Sequence, residues 1–291
     1  MRQRRRPHPL RRKAARGAQQ PVPSHTCLFT VPLPSAVADA VGRPHLSLLG
    51  VESDISVVGE VRRKGQYEPH VMEAIARFLA PGGTFVDVGA NFGIHSVLAA
   101  ALVGETGRVL AVEASPVTHC LLAHNLVSSG CPGAVAIHAA AWSQPEVLSL
   151  RHITQVVGGS HVTFTGGERP WEGVAYRVLA MPLDTLVALT GLEHVDLIKI
   201  DVEGSEYRVL QGARETLRRH RPALIIEFNQ ETARFYDGRT ARDLHRLVRE
   251  LGYQMAFLNP AFTAYDANDY AVLERIWRMR NQVLEVACTP A

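Results

Sequence analysis

The chain has 291 residues, 46% of them hydrophobic and 20% charged, an ordinary globular composition long enough for one large α/β domain or a domain plus a cap. No window approaches the roughly 18 uninterrupted apolar residues of a membrane span, and four scattered cysteines (Cys27, Cys120, Cys131, Cys288) have neither zinc-site nor disulfide-framework spacing. The net charge of +3 belongs to the N-terminus: residues 1–16 hold eight basic residues and no acid, leaving 23 basic against 28 acidic residues beyond, a net of −5.

Residues 1–25 therefore read as a disordered basic tail. No apolar stretch follows the arginines, so no signal peptide is expected, and a reducing, cytoplasmic setting is the default. Arginine outnumbers lysine 28 to 3, which we attribute to genome composition, since phosphate recognition would not exclude lysine. Residues 26–66, broken by Pro32, Pro34, Pro44 and Gly50, read as a small N-terminal cap or substrate-side segment. From Tyr67 the pattern is regular and forms the main domain, 67–291. Val71, Ile75, Phe78 and Leu79 share one face of a helix over 68–80, with Pro69 in its first turn. An apolar strand (84–88), a helix (94–103), a strand (107–115) and a helix (116–130) come next, the last with Ser115 as N-cap and Pro116 at its first position. Then come strands over 134–142 and 195–204, a helix over 205–220, a strand over 223–229, a helix over 240–253 and a strand over 254–259. Continuous apolar strands alternating with helices predict an α/β fold whose mostly parallel sheet is covered on both faces. Between Glu146 and Leu183 the alternation lapses into an insertion, read as antiparallel strands around a Gly-rich loop.

Three stretches carry chemistry. In Asp87-Val88-Gly89-Ala90-Asn91-Phe92-Gly93 a strand runs into a helix. Gly89 permits a tight turn and close approach of a ligand, and Gly93 permits close packing at the helix start. Asn91 stands where a dinucleotide fingerprint has its middle glycine, which argues against a pyrophosphate. Alone, the turn barely differs from an ordinary βα loop. Glu113 ends the next strand, 20 residues after Gly93, where a carboxylate can accept both hydroxyls of a ribose. Turn and acid together favour a nucleoside cofactor, and the acid disfavours a 2′-phosphate. Third, "IKIDVEGSE" places Lys199, Asp201, Glu203 and Glu206 at a strand C-terminus, the edge where open α/β sheets bind ligands, and Glu227 ends the following strand on the same edge. Such crowded carboxylates serve as a general base, a substrate clamp or a magnesium shell. Glu206 is equally well a first-turn residue facing the helix dipole.

The stretches "GQYEPHV" (65–71), "VDVGANFGIHS" (86–96), "VEASPVTHCLLAHNL" (112–126), "AAAW" (139–142), "MPLDTL" (181–186), "LIKIDVEGSEYRVLQGA" (197–213) and "PALIIEF" (222–228) resemble the FkbM family, a branch of class I S-adenosylmethionine-dependent methyltransferases. The resemblance implies a Rossmann-like, seven-stranded, mostly parallel sheet with S-adenosyl-L-methionine between the Asp87 turn and Glu113. It further implies Ala141 and Trp142 beside the adenine, Ala114 and Asp201 among the cofactor contacts, and Tyr67 and Glu68 closing over the cofactor. No pyrophosphate exists in that cofactor, which accounts for the missing glycine. Family members mostly O-methylate hydroxyls of sugars or natural products. The expected catalytic base is Asp201, with His161 second because its loop could reach the sheet edge; Glu203 and Glu227 are expected at the substrate, and no metal is expected. The resemblance gives His95 no role. The expected partner is a small-molecule acceptor, with no nucleic acid and no membrane. Two other classes compete: an RNA or protein methyltransferase, weakly favoured by the tail and disfavoured by the acidic body, and a non-catalytic cofactor-binding protein.

Overall fold

A computed structural model describes residues 25–152, 161–163, 174–229, 239–280 and 283–291. The tail and most of the Gly-rich loop lie outside the described residues.

Strands β1 (Thr26–Pro32) and β2 (His45–Val51) form an antiparallel ribbon, with helix α1 (Ser35–Val41) between them and α2 (Val58–Lys64) after. Asp54 starts α2: its carboxylate accepts the backbone N–H groups of Ser56, Val57 and Val58. The ribbon shares one core with the main domain. Phe29, Leu46 and Leu48 pack in the same apolar cluster as Ile75, Leu98 and Leu122. Asn125, 4% exposed, bonds both Leu49 N and Leu49 O, and donates to Phe92 O at 2.8 Å.

The main sheet takes β3 (Thr84–Val88), β4 (Arg108–Glu113), β5 (Ala134–His138), β10 (Leu197–Ile200), β11 (Ala223–Phe228), β12 (Tyr253–Phe257) and β13 (Leu284–Pro290) in the order β12-β13-β11-β10-β3-β4-β5. All its pairs are parallel except the two made by β13. Alternation along the strands divides the core. Phe85, Val109, Ala111, Leu197 and Ile225 face α3 (Pro69–Phe78), α4 (Ile94–Val103) and α5 (Pro116–Val127). Val86, Val88, Leu110, Ile198 and Ile226 face α6 (Leu183–Leu189), α7 (Glu206–Gln211), α8 (Arg214–His220), α9 (Ala241–Glu250) and α10 (Tyr270–Arg280). This is the class I methyltransferase architecture that the resemblance implies. Among the described residues no helix is long and apolar enough to cross a membrane.

Two expectations need correction. The strand read as 134–142 is two strands: β5 ends at His138, and β6 (Ala140–Trp142) pairs in parallel with β9 (Val174–Pro182). With β7 (Glu146–His152) and β8 (His161–Thr163) these make a second sheet, ordered β6-β9-β7-β8, from the predicted insertion. The helix read as 205–220 breaks at Gly212, because β6 crosses there. A Cβ on Gly212 would sit 1.9 Å from the Trp142 carbonyl oxygen. Helix α10 and strand β13 extend the fold beyond the last element expected.

Candidate active site

Parallel strands deliver their C-terminal ends to one edge of the sheet, and two joined hollows open there. The first lies between the β3–α4 turn, the end of β4 and the β5–β6 link. Gly89, Asn91, Glu113, Ala114, Ala141 and Leu150 line it. The second, the roomier of the two, lies between α2, the start of α3, α4 and the ends of β10 and β11. Gly89, Asn91, Asp201 and Glu203 belong to both, so they mark the neck.

The turn is built around Gly89. Its φ is 82°, its N–H donates to Val112 O at 2.9 Å, and a Cβ would lie 1.8 Å from the Asp201 carbonyl oxygen. Asn91 also has a left-handed φ of 52°. Its N–H donates to Glu113 Oε2 at 2.8 Å, and Ser115 N donates to Glu113 Oε1 at 2.8 Å. Glu113 is thus fixed by the backbone on both sides, with lone pairs still available to the hollow. Burial pushes its carboxyl above the usual range, against those hydrogen bonds.

Asp87 and Gly93 act from behind. Asp87 is 1% exposed and accepts the Ser96 hydroxyl at 2.5 Å, tying β3 to the first turn of α4. A Cβ on Gly93 would lie 2.6 Å from the Leu122 side chain, so this glycine serves packing of α4 on α5. Trp142 does not reach the first hollow. It is buried beneath the second sheet with Leu148 and Val178, and Arg208 stacks over its ring at 5.7 Å. Ala139, Ala140 and Leu150 complete the wall that the sequence assigned to Trp142.

Tyr67 and Glu68 line the second hollow and not the first, together with Ser56, Glu60, His95, Lys199 and Glu227. Its carboxylates exceed its cations. Lys199 Nζ donates to Asp201 Oδ2 at 2.7 Å; burial opposes its charge, but Asp201, Glu68 and Asp87 outweigh burial and hold the ammonium protonated. Burial, with Asp201 and Glu206 nearby, pushes Glu203 up to about 8. Burial and the surrounding acids push Glu227 well above the carboxylate range, and its carboxyl hydrogen-bonds Asp201. Glu206 is structural: its Oε1 accepts Val202 N and Gly204 N at 3.1 Å each, clamping a loop in which Glu203 has a φ of 53°. His161 lies on β8 opposite Arg151, and residues 158–160 before it lie outside the described residues.

Several polar atoms here are unsatisfied. Asn91 Oδ1, His95 Nε2 and Ser205 Oγ, which line the hollows, and Asp87 Oδ1 behind them lack hydrogen-bond partners among the described residues. Each such atom costs about 1–3 kcal/mol if left unpaired, so their concentration marks a place built for a ligand. Among the described residues no three His, Cys, Asp or Glu are grouped to hold a metal.

The family profile described as "Methyltransferase FkbM domain" matches residues 87–255, more than half of the chain. The chain belongs to the FkbM methyltransferase family. A curated relative, methyltransferase sdnD of Sordaria araneosa, is 28% identical over 156 residues, which cover 45% of this chain and 60% of that protein, so the match spans less than two thirds of the relative's length. Among solved structures, methyltransferase FkbM from Methylobacillus flagellatus is 14% identical, with a TM-score of 0.44, over 79% of this chain and 60% of that one. Precorrin-6y C5,15-methyltransferase from Geobacter metallireducens is 12% identical, with a TM-score of 0.43, over 77% of this chain and 89% of that one. Sequence reasoning placed Lys199 at the sheet edge and gave neither it nor His95 a role. Their signals were a lysine within an apolar strand and a histidine near the start of the otherwise apolar "IHSVLAAALV".

Proposed function

We propose that the chain is an S-adenosylmethionine-dependent methyltransferase that acts on a hydroxyl of a small-molecule acceptor, a sugar or a natural product. The observation that carries this reading is the joining of a Gly89–Glu113 hollow to a carboxylate-lined basin through the shared neck of Gly89, Asn91, Asp201 and Glu203.

The residues fit the cofactor. The absence of a side chain at Gly89 lets the turn pack against the Asp201 carbonyl and brings bare backbone to the wall of the hollow. The Glu113 carboxylate is aimed to accept two ribose hydroxyls, and the unpaired Asn91 Oδ1 and Ser205 Oγ add polar partners. When bound, S-adenosylmethionine supplies an electrophilic methyl group on a cationic sulfur. The rest falls to positioning, which can contribute about 7–11 kcal/mol of a barrier. Glu203, Glu227 and Asp201 present hydrogen-bonding oxygens to a polyhydroxylated acceptor. Asp201 is engaged by Lys199 and by the Glu227 carboxyl, which suits it to hold an acceptor hydroxyl more than to take its proton.

The test is incubation of the chain with methyl-labelled S-adenosylmethionine and a metabolite extract, read by mass spectrometry. The reading predicts a small, hydroxyl-bearing product heavier by one CH2 unit and carrying the label. Label found only in RNA or protein would refute it.

A further inference from the structure

The proposed transfer needs a proton acceptor in the basin, and most of the basin's carboxylates are committed elsewhere. Asp201 is held by Lys199, Glu227 hydrogen-bonds Asp201, and Glu60 pairs with Lys64, while Glu203 stands at the neck between the hollows. Glu68 differs. It stands at the N-terminus of α3 with a left-handed φ of 39°, which costs a non-glycine residue about 1–2 kcal/mol and fixes where its side chain begins. The Tyr67 hydroxyl hydrogen-bonds its carboxyl. Behind it, His95 Nε2 lies 3.5 Å from Glu68 Oε2, and this atom has no hydrogen-bond partner although its residue is 6% exposed. The His95 ring is packed against Tyr67 at 5.9 Å between centroids. Glu68 lines the basin with 22% of its side chain exposed, so an acceptor can touch it.

We propose that Glu68 is the residue that takes the acceptor's proton, and that His95 is a positioning residue whose Nε2 lone pair accepts a hydrogen bond from the Glu68 carboxyl once the proton arrives. This rests on the methyltransferase reading. As the acceptor oxygen bonds the methyl carbon, the carbon–sulfur pair leaves with sulfur, which becomes a neutral thioether. The hydroxyl proton passes to Glu68 Oε2 and then to solvent. Burial, with Asp201 and Glu285 nearby and against Lys199, pushes the Glu68 carboxyl up to about 7, where a base is most effective near neutral pH. Burial, reinforced by Lys199 and His70, holds His95 neutral well below its usual range, so its lone pair remains available. The charged and titratable groups facing this pair are therefore Glu60, Tyr67, His70, Lys199, Asp201, Glu203 and Glu285.

The test is a 15N NMR titration of histidine-labelled protein, with S-adenosylhomocysteine bound, from about pH 6 to 9. The His95 Nε2 signal should shift with a midpoint near 7 as Glu68 loses its proton. Glu68→Gln should abolish that transition and retain S-adenosylhomocysteine binding. With the acceptor found by the labelling experiment, Glu68→Gln should lower turnover by about 10²–10⁴-fold and remove the acidic limb of the pH profile. His95→Asn should shift that limb. A transition that persists in Glu68→Gln overturns the proposal, as does a Glu68→Gln variant that only weakens S-adenosylhomocysteine binding and keeps its pH profile. Failure of the wild-type chain to bind S-adenosylhomocysteine would refute the methyltransferase reading itself.

Discussion

Replacing Glu113 by alanine separates its two duties. In the folded chain its carboxylate accepts two backbone N–H groups, from Asn91 and Ser115, each at 2.8 Å. Ser115 is fully buried, so its N–H would lose its partner with no water to replace it, at about 1–3 kcal/mol. Asn91 borders the hollow, where water can substitute for the lost oxygen. The burial that disfavours ionised Glu113 offsets part of the loss. We therefore expect Glu113→Ala to unfold in urea with its free energy lowered by about 1–3 kcal/mol, still folded at 25 °C. Affinity should fall further. Two ribose hydroxyls on a carboxylate contribute about 1.5 kcal/mol each at the low end, so calorimetry should show S-adenosylhomocysteine binding weakened about 100-fold. Glu113→Gln, which keeps one acceptor oxygen, should fall between. A folded Glu113→Ala chain with wild-type affinity would refute the placement of the ribose.

Three further outcomes follow from the same geometry. Gly89→Ala puts a Cβ against the Asp201 carbonyl and strains a φ of 82°, so a folded variant should lose S-adenosylhomocysteine binding altogether; retained affinity would show that the neck tolerates displacement. Asn125→Ala removes three hydrogen bonds that tie the β1–β2 ribbon to α5 and the turn, and should lower the urea midpoint by the equivalent of about 2–3 kcal/mol. Glu68 and Glu206, each near 7, and Glu203, near 8, hold protons in the folded state that the unfolded chain releases near 4.3. The folded state binds more protons in between, so stability falls as pH rises from about 4.5 through about 8. His95, His119, His220 and His245, pushed down by burial, work in the opposite sense below about pH 6.5, so the fall is steepest above it. Thermal unfolding scans should show a Tm that drops across this range; a rising Tm would contradict the buried-acid account.

Much of this architecture was legible because its signals are local. The turn at Gly89 and the N-cap Ser115, whose side chain accepts Thr118 N, are written within a few residues each. Strands such as "TFVDV" are apolar because both faces are covered. What was hidden depends on distant partners. Nothing in "AVAIHAAAW" marks a break, yet Ala139 N still bonds Glu113 O in the main sheet while the next residues join β9. That switch buries Trp142 and forces the helix break at Gly212. Strand β13 alternates where the parallel strands do not, and only its pairing with both β11 and β12 reveals it. Glu68 and His95 are 27 positions apart, and their shared place follows from the packing of α3 against α4.

The central claim is tested most directly by calorimetric titration of the unaltered chain with S-adenosylhomocysteine near pH 7. One binding event per chain is expected, with a matching rise in Tm as the ligand is added. No heat of binding and an unmoved Tm would contradict it.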